Sequence, residues 1–441
     1  MSMAPHLFIA LLLAAVCAAL PCVPAASAAE PSADKPARSA TAARRTPQIR
    51  RAVFQRFDEV QRAADAGEHE KALGMLQALT KDFDDGRGLN SYERANLFYF
   101  EGFIEDARGK PDAAARAYLQ VLKQPGLPAI MEANTRYSLA QLQVSLGQWK
   151  QATAMLGAWF AITEDPLPEA HALFARALYG QERHRDALKE LDAAVAEARR
   201  RHLVPQESWY LLMRASAYAA GDLARTVTAL EILAAQWPRK EYFLQLSAVY
   251  AEQGDPARRV AAMEAPWLAG WLVEEQDLLA LAALYLDTGL PARAATLLDT
   301  EITAARISTT PEHLALLATA WERAQEPALA MPKLESAARL GNDGALWLRL
   351  AALQLANDAP VGAAASARAA LALGDRTPGG ARLMLGRALY AMGRLQEARD
   401  TFALAGKEPG ESAAAAKWLR FLEGEIARQD LLRPGAGEPA S

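Results

Sequence analysis

Leu385-Gly386-Arg387-Ala388-Leu389-Tyr390-Ala391-Met392-Gly393-Arg394-Leu395-Gln396-Glu397-Ala398-Arg399-Asp400-Thr401-Phe402-Ala403-Leu404-Ala405 is the stretch that decides the fold. A large apolar residue and a small one, Leu385-Gly386, precede an apolar pair, Leu389-Tyr390, one turn later along a helix. Gly393 then supplies the backbone freedom that a tight turn needs. Ala398, Phe402 and Ala405 follow at helical spacing, so the segment reads as two antiparallel helices crossing closely over small residues.

The same pattern recurs upstream. Turn positions fall at Gly67, Gly109, Gly147, Glu182, Gly221, Gly254, Gly289, Gln325, Asp358 and Gly393, with successive separations of 42, 38, 35, 39, 33, 35, 36, 33 and 35 residues. Five residues after most of them stands a short side chain: Ala72, Ala114, Ala152, Ala187, Ala294, Ala330, Ala363 and Ala398. Thr226 and Arg259 break this rule in the fifth and sixth copies. The pattern resembles the tetratricopeptide repeat (TPR), a helix–turn–helix unit of roughly 34 residues. The resemblance implies an all-α, right-handed superhelix of about ten repeats, each covering the apolar face of its neighbour. A C-terminal capping helix is expected over 411–430, with Ala414, Trp418, Phe421 and Leu422 on its apolar face.

Composition fits a well-buried helical protein and sets some functions aside. The 441 residues are 51% hydrophobic, 7% aromatic and 23% charged, with a net charge of −4, which lacks the basic surplus of a nucleic-acid binder. Leu7–Leu20 is an apolar run followed by Pro21, Pro24 and Ala26-Ser27-Ala28, the layout of a secretory signal peptide over 1–28 cleaved near Ala28, although Met1–His6 carries no Lys or Arg. An uncleaved anchor is the alternative for this segment. The two cysteines, Cys17 and Cys22, both lie within it, and neither Val16 nor Pro21 suits lipoprotein processing. Residues 29–49 read as a flexible linker, with a basic patch of Arg44, Arg45, Arg50 and Arg51 that is solvated or touches an acidic partner or lipid. The repeats occupy 50–410, and 431–441, with Pro434, Gly435, Gly437 and Pro439, reads as a disordered tail.

No catalytic or metal site is legible. Phosphate-binding, nucleophile-elbow and zincin motifs are missing, since His69-Glu70 is followed by Leu73 where a second ligand belongs. His171, His184, His202 and His313 are scattered. The sequence therefore predicts a binding protein without catalytic residues, metal or cofactor, and not an enzyme.

In a TPR stack, positions 2, 5, 9 and 12 of each first helix line the concave groove. Here they supply Asn96, Tyr99 and Phe103; Asn134, Tyr137 and Gln141; Arg176 and Tyr179; and Tyr218. Rings beside amides suit an extended peptide, the rings giving apolar area and the amides pairing with its main chain. Packing between adjacent first helices is the structural alternative for each ring. Later units offer Leu279, Ala283, Leu286, Leu348, Ala352 and Leu355, an apolar face suited to a helix or to folding back. A carboxylate clamp needs Lys and Asn at positions 5 and 9, where the chain has Tyr99 with Phe103 and Tyr137 with Gln141.

Further segments carry a narrower resemblance. Trp209-Tyr210-Leu211-Leu212, Trp237–Ser247 with Tyr250, Leu316–Trp321 with Glu326, and Ala337–Leu340 with Asp343-Gly344 resemble exported bacterial TPR proteins encoded beside TonB, ExbB and ExbD. The resemblance spans about Phe98 to Trp418 and departs at Phe243, where a tryptophan is expected. It implies a periplasmic adaptor binding TonB-system components or an outer-membrane transporter, without a span once the signal is removed. An assembly factor for outer-membrane protein, exopolysaccharide or pilus biogenesis is the rival reading, and an exported enzyme a distant one. Tyr242, Leu246 and Tyr250, at i, i+4 and i+8, also fit a purely structural helix stripe.

Overall fold

The chain's computed structural model describes residues 48–82, 88–373, 378–408 and 410–432. The expected signal segment, Arg44 and Arg45, nearly all of the linker and nearly all of the tail lie outside these residues. Among the described residues the fold is all-α, a series of tetratricopeptide-type hairpins in two compact units that meet in sequence between Pro238 and Arg239.

The first unit holds five hairpins: α1 (Arg51–Asp65) with α2 (His69–Asp82), α3 (Ser91–Ala107) with α4 (Pro111–Leu122), α5 (Ala129–Ser145) with α6 (Trp149–Phe160), α7 (Pro168–Tyr179) with α8 (His184–Arg200), and α9 (Glu207–Ala219) with α10 (Leu223–Gln236). The second holds five more: α11 (Lys240–Glu252) with α12 (Pro256–Leu268), α13 (Glu275–Asp287) with α14 (Pro291–Thr303), α15 (Pro311–Arg323) with α16 (Pro327–Gly341), α17 (Gly344–Ala356) with α18 (Pro360–Ala372), and α19 (Pro378–Ala391) with α20 (Leu395–Ala405). A final helix, α21 (Ser412–Leu432), lies on α20. Within each unit every helix packs on its predecessor and its successor, so burial is neighbour by neighbour.

All ten expected turn positions adopt the left-handed conformation, with φ between 55° and 77°. Glycine takes it without strain at seven; Glu182, Gln325 and Asp358 take it with a side chain. At each turn an amide reaches back across the helix end, as from Glu68 N to Ala63 O and from Arg394 N to Leu389 O, both 2.9 Å. Such bonds satisfy carbonyls that the helix itself leaves unpaired. Five residues on, all eight alanines are fully buried at the crossing.

Thr226 keeps the packing position despite its hydroxyl, because Oγ1 donates to Asp222 O at 2.8 Å within its own helix. Arg259 is exposed and Val260 packs inward instead, so the sixth hairpin alone shifts by a residue. Glycine also admits a ring at close crossings, as at Gly102 under Tyr118 and Gly386 under Phe402.

Two expectations are corrected. The buried face of α21 is centred on Ala415, Trp418, Leu422 and Ile426 rather than on Ala414 and Phe421; Trp418 stacks on Phe402 with centroids 5.2 Å apart, while Phe421 is half exposed and only sets its ring edge-on to Tyr390 and Trp418. This spacing of three and four residues follows the helix period more closely. Arg50 does not belong to a solvated patch. Its backbone N–H and Nε donate to Glu93 Oε1 (both 2.9 Å), its Nη2 to Glu93 Oε2 (2.7 Å) and to Gly88 O (2.8 Å), which ties the start of α1 to the start of α3. Tyr242, Leu246 and Tyr250 are all buried, as a structural stripe requires. In the second unit Leu279, Leu286, Leu348 and Leu355 are half-buried against its cores, and Ala283 and Ala352 are exposed.

Candidate partner-binding face

The nine residues read as groove-lining stand on α3, α5, α7 and α9, the first helices of hairpins two to five, all in the first unit. α5 touches α7 and α7 touches α9 directly, and α3, α4 and α5 share one core containing Ala95, Tyr118, Leu139 and Leu142.

α3 is anchored at its start. Asn90 Oδ1 accepts from Glu93 N (2.9 Å) while Glu93 Oε2 accepts from Asn90 N (3.0 Å), a reciprocal cap. Burial raises the Glu93 carboxyl, but hydrogen bonds from Arg50 and Asn90 outweigh it and hold it below the ordinary carboxylate range.

Gly102 then lets the Tyr118 ring of α4 lie against the α3 backbone, and Tyr99 packs on that ring at 5.6 Å. Burial pushes both hydroxyls upward; Tyr118 also feels Tyr99 and Asp106. Phe103, one turn on, is 46% exposed. Asn96 spends one amide hydrogen on Tyr92 O, at 2.8 Å in its own helix.

Along α5, Asn134 and Gln141 are exposed and flank Tyr137, which is half-buried against Trp159 with ring centroids 5.2 Å apart. Burial, with the Glu169 charge behind it, pushes the Tyr137 hydroxyl up to about 12. On α7, Arg176 and Tyr179 are half-buried, Tyr179 against the His184 ring at 5.2 Å; Tyr218 on α9 is half-buried too. Tyr99 and Tyr137 thus combine both readings of the sequence, with one face in the core and an edge on the surface. Phe103, Asn134 and Gln141 are the members that stand clear of it.

Three residues that the sequence reading passed over occupy the same register. Phe54, 60% exposed, is position 2 of the first hairpin, and Asp106 is position 12 of the second, where Tyr179 and Tyr218 stand in the fourth and fifth. Glu169, beside Tyr137, is position 2 of the fourth. The turn positions alone would have found all three.

Among the described residues no three His, Cys, Asp or Glu side chains come together as a metal site, and no helix is long and apolar enough to cross a membrane. No protein-family model matches the sequence, and no curated protein matches it. Solved structures do. A MamA protein is 19% identical over 39% of this chain and 87% of its own, with a TM-score of 0.33. A tetratricopeptide repeat protein from Parabacteroides merdae is 15% identical over 69% and 99%, at 0.35. The TPR2AB domain of yeast Sti1, solved in complex with an HSP90 peptide, is 14% identical over 58% and 98%, at 0.32. Likenesses this distant carry no argument about what this chain binds.

Proposed function

We propose that this chain is a protein-binding scaffold exported to the periplasm, acting as an adaptor for a TonB-type energy-transduction or outer-membrane uptake system. The observation that carries the scaffold reading is the face on α3 and α5. There Phe103, Asn134 and Gln141 are open to solvent beside rings whose inner faces are fixed in the core. Side chains held in place before binding lose little entropy on contact. The signal-like Leu7–Ala28 stretch and the resemblance of Trp209–Tyr250 to TonB-linked proteins support the compartment and the system.

Crosslinking in intact cells, followed by mass spectrometry of the purified chain, tests the reading. TonB, ExbB, ExbD or an outer-membrane receptor is expected among the products, and N-terminal sequencing should begin at Ala29 or a close neighbour. Asn134→Ala with Gln141→Ala, both exposed, should reduce that crosslinking at an unchanged melting temperature. A chain retained in the cytosol with Met1 intact sinks the TonB assignment; crosslinking indifferent to the double variant moves the site elsewhere.

A further inference from the structure

The α3 face has a charge to answer as well as an apolar surface. Asn96, Tyr99, Phe103 and Asp106 lie within about an 80° arc of one helix, at spacings of three and four residues. Asp106 sits near the Tyr118 ring that Gly102 admits, and Tyr99 packs on that ring with centroids 5.6 Å apart. Among the described residues no cation forms an ion pair with the Asp106 carboxylate, whereas Glu105, its neighbour on another face, is bound to Arg108 Nη1 at 2.9 Å. Partial desolvation without a compensating cation holds the Asp106 carboxyl above the usual range. An arriving cation would relieve that cost, and the exposed Phe103 ring offers the same cation its negative face.

We propose that the second hairpin selects a cationic side chain, Arg or Lys, of an extended peptide, seating it between the Asp106 carboxylate and the Phe103 ring. This rests on the reading of the α3 and α5 face as a peptide-binding surface. The peptide main chain would run past Asn134 and Gln141, and its basic residue would set its register.

Anisotropy of fluorescein-labelled peptides with the full chain tests this. The probes share one serine- and leucine-based sequence and carry arginine, glutamate or glutamine at the same positions. The arginine probe should bind tightest, and Asp106→Asn should weaken it about fivefold while leaving the glutamine probe unchanged. Asp106→Glu, which keeps the charge, should retain the arginine preference. Phe103→Ala should weaken both the arginine and the glutamine probes, and the arginine probe more, because only that probe loses a cation–ring contact as well as apolar area. If arginine and glutamine probes bind equally, or Asp106→Asn changes neither, the cation selection is wrong, and continued weakening by Phe103→Ala would show that the peptide-binding reading survives it. No binding of any probe up to about 1 mM overturns both.

Discussion

Replacing Gly386 with alanine should destabilise the protein, although alanine is the better helix former by about 1 kcal/mol. A Cβ there would meet Phe402 Cε1 and Cζ at 2.7 Å. Carbon atoms settle at about 3.5–4.0 Å, so the ring would have to retreat by close to 1 Å. It has nowhere to go: Phe402 is fully buried and its far face is stacked on Trp418, 5.2 Å between centroids at an interplanar angle of 5°. Overpacking of this kind costs about 1–3 kcal/mol, which leaves a net loss of up to about 2 kcal/mol after the gain in propensity. Gly157→Ala is the control. No heavy atom lies within 4 Å of a Cβ at that exposed α6 position, so it should gain about 0.5–1 kcal/mol. Urea titration followed by tryptophan fluorescence, with hydrogen exchange to locate the effect, reads both. In the Gly386 variant exchange should rise first in α19 to α21, and Phe402→Leu should recover part of the loss through a coupling of about 0.5–3 kcal/mol. Equal stabilisation by the two alanines would refute the argument, because it would mean that the ring yields freely and that the close crossing is not a constraint.

The remaining predictions concern the two ends and the face. Glu93→Gln should cost about 1–3 kcal/mol at pH 7 by removing charged hydrogen bonds to Arg50. Because the folded-state value is depressed from an ordinary 4.5, this contribution is present above that pH and is lost as pH falls through the lower folded value; the melting-temperature gap between wild type and variant should narrow as the pH is taken below 4.5. Removing 411–441 should bare Phe402 and raise hydrogen exchange over Leu383–Ala405 while hairpins of the first unit stay protected; a uniform loss of protection would point to one cooperative globule. Tyr137→Ala should lower the melting temperature, since it empties a site against Trp159, whereas Asn134→Ala should not; equal effects would mean that the core does not hold the Tyr137 ring.

Much of the fold was legible because a tight turn places a local demand on the backbone. All ten turn positions are located correctly, including Glu182, Gln325 and Asp358, where the demand is met without glycine and only the spacing marks the place. Thr226 looked like an exception because its composition hid a local solution, a hydroxyl bonded to its own helix. What the pattern cannot express is long-range company. Arg50 lies 43 residues from Glu93, and nothing near it in sequence distinguishes a partner in a capped helix start from a solvated cation. The site was legible in register but not in depth: periodicity puts Tyr99, Phe103 and Tyr137 on one face, while only the packing of Tyr118 and Trp159 decides that the tyrosines are braced and Phe103 is open. The division between Pro238 and Arg239 left only Pro238 as a visible trace, one proline among 24.

The shared geometry of the turns makes the chain editable in whole cassettes. Excising residues 325–357 would join Ala324 to Asp358, whose backbone already has the conformation that Gln325 supplies, and would bring Ala363 to the sequence position vacated by Ala330, both fully buried. Recombination between such equivalent points changes length by seating the first helix of one hairpin against the second helix of another across the same turn geometry. The sixth hairpin is the poor place to cut, because the inward residue there is Val260 and the frame slips by one. A gene built this way can lengthen or shorten its product by unequal exchange, and the joints that tolerate it are the left-handed turn residues of the hairpins other than the sixth.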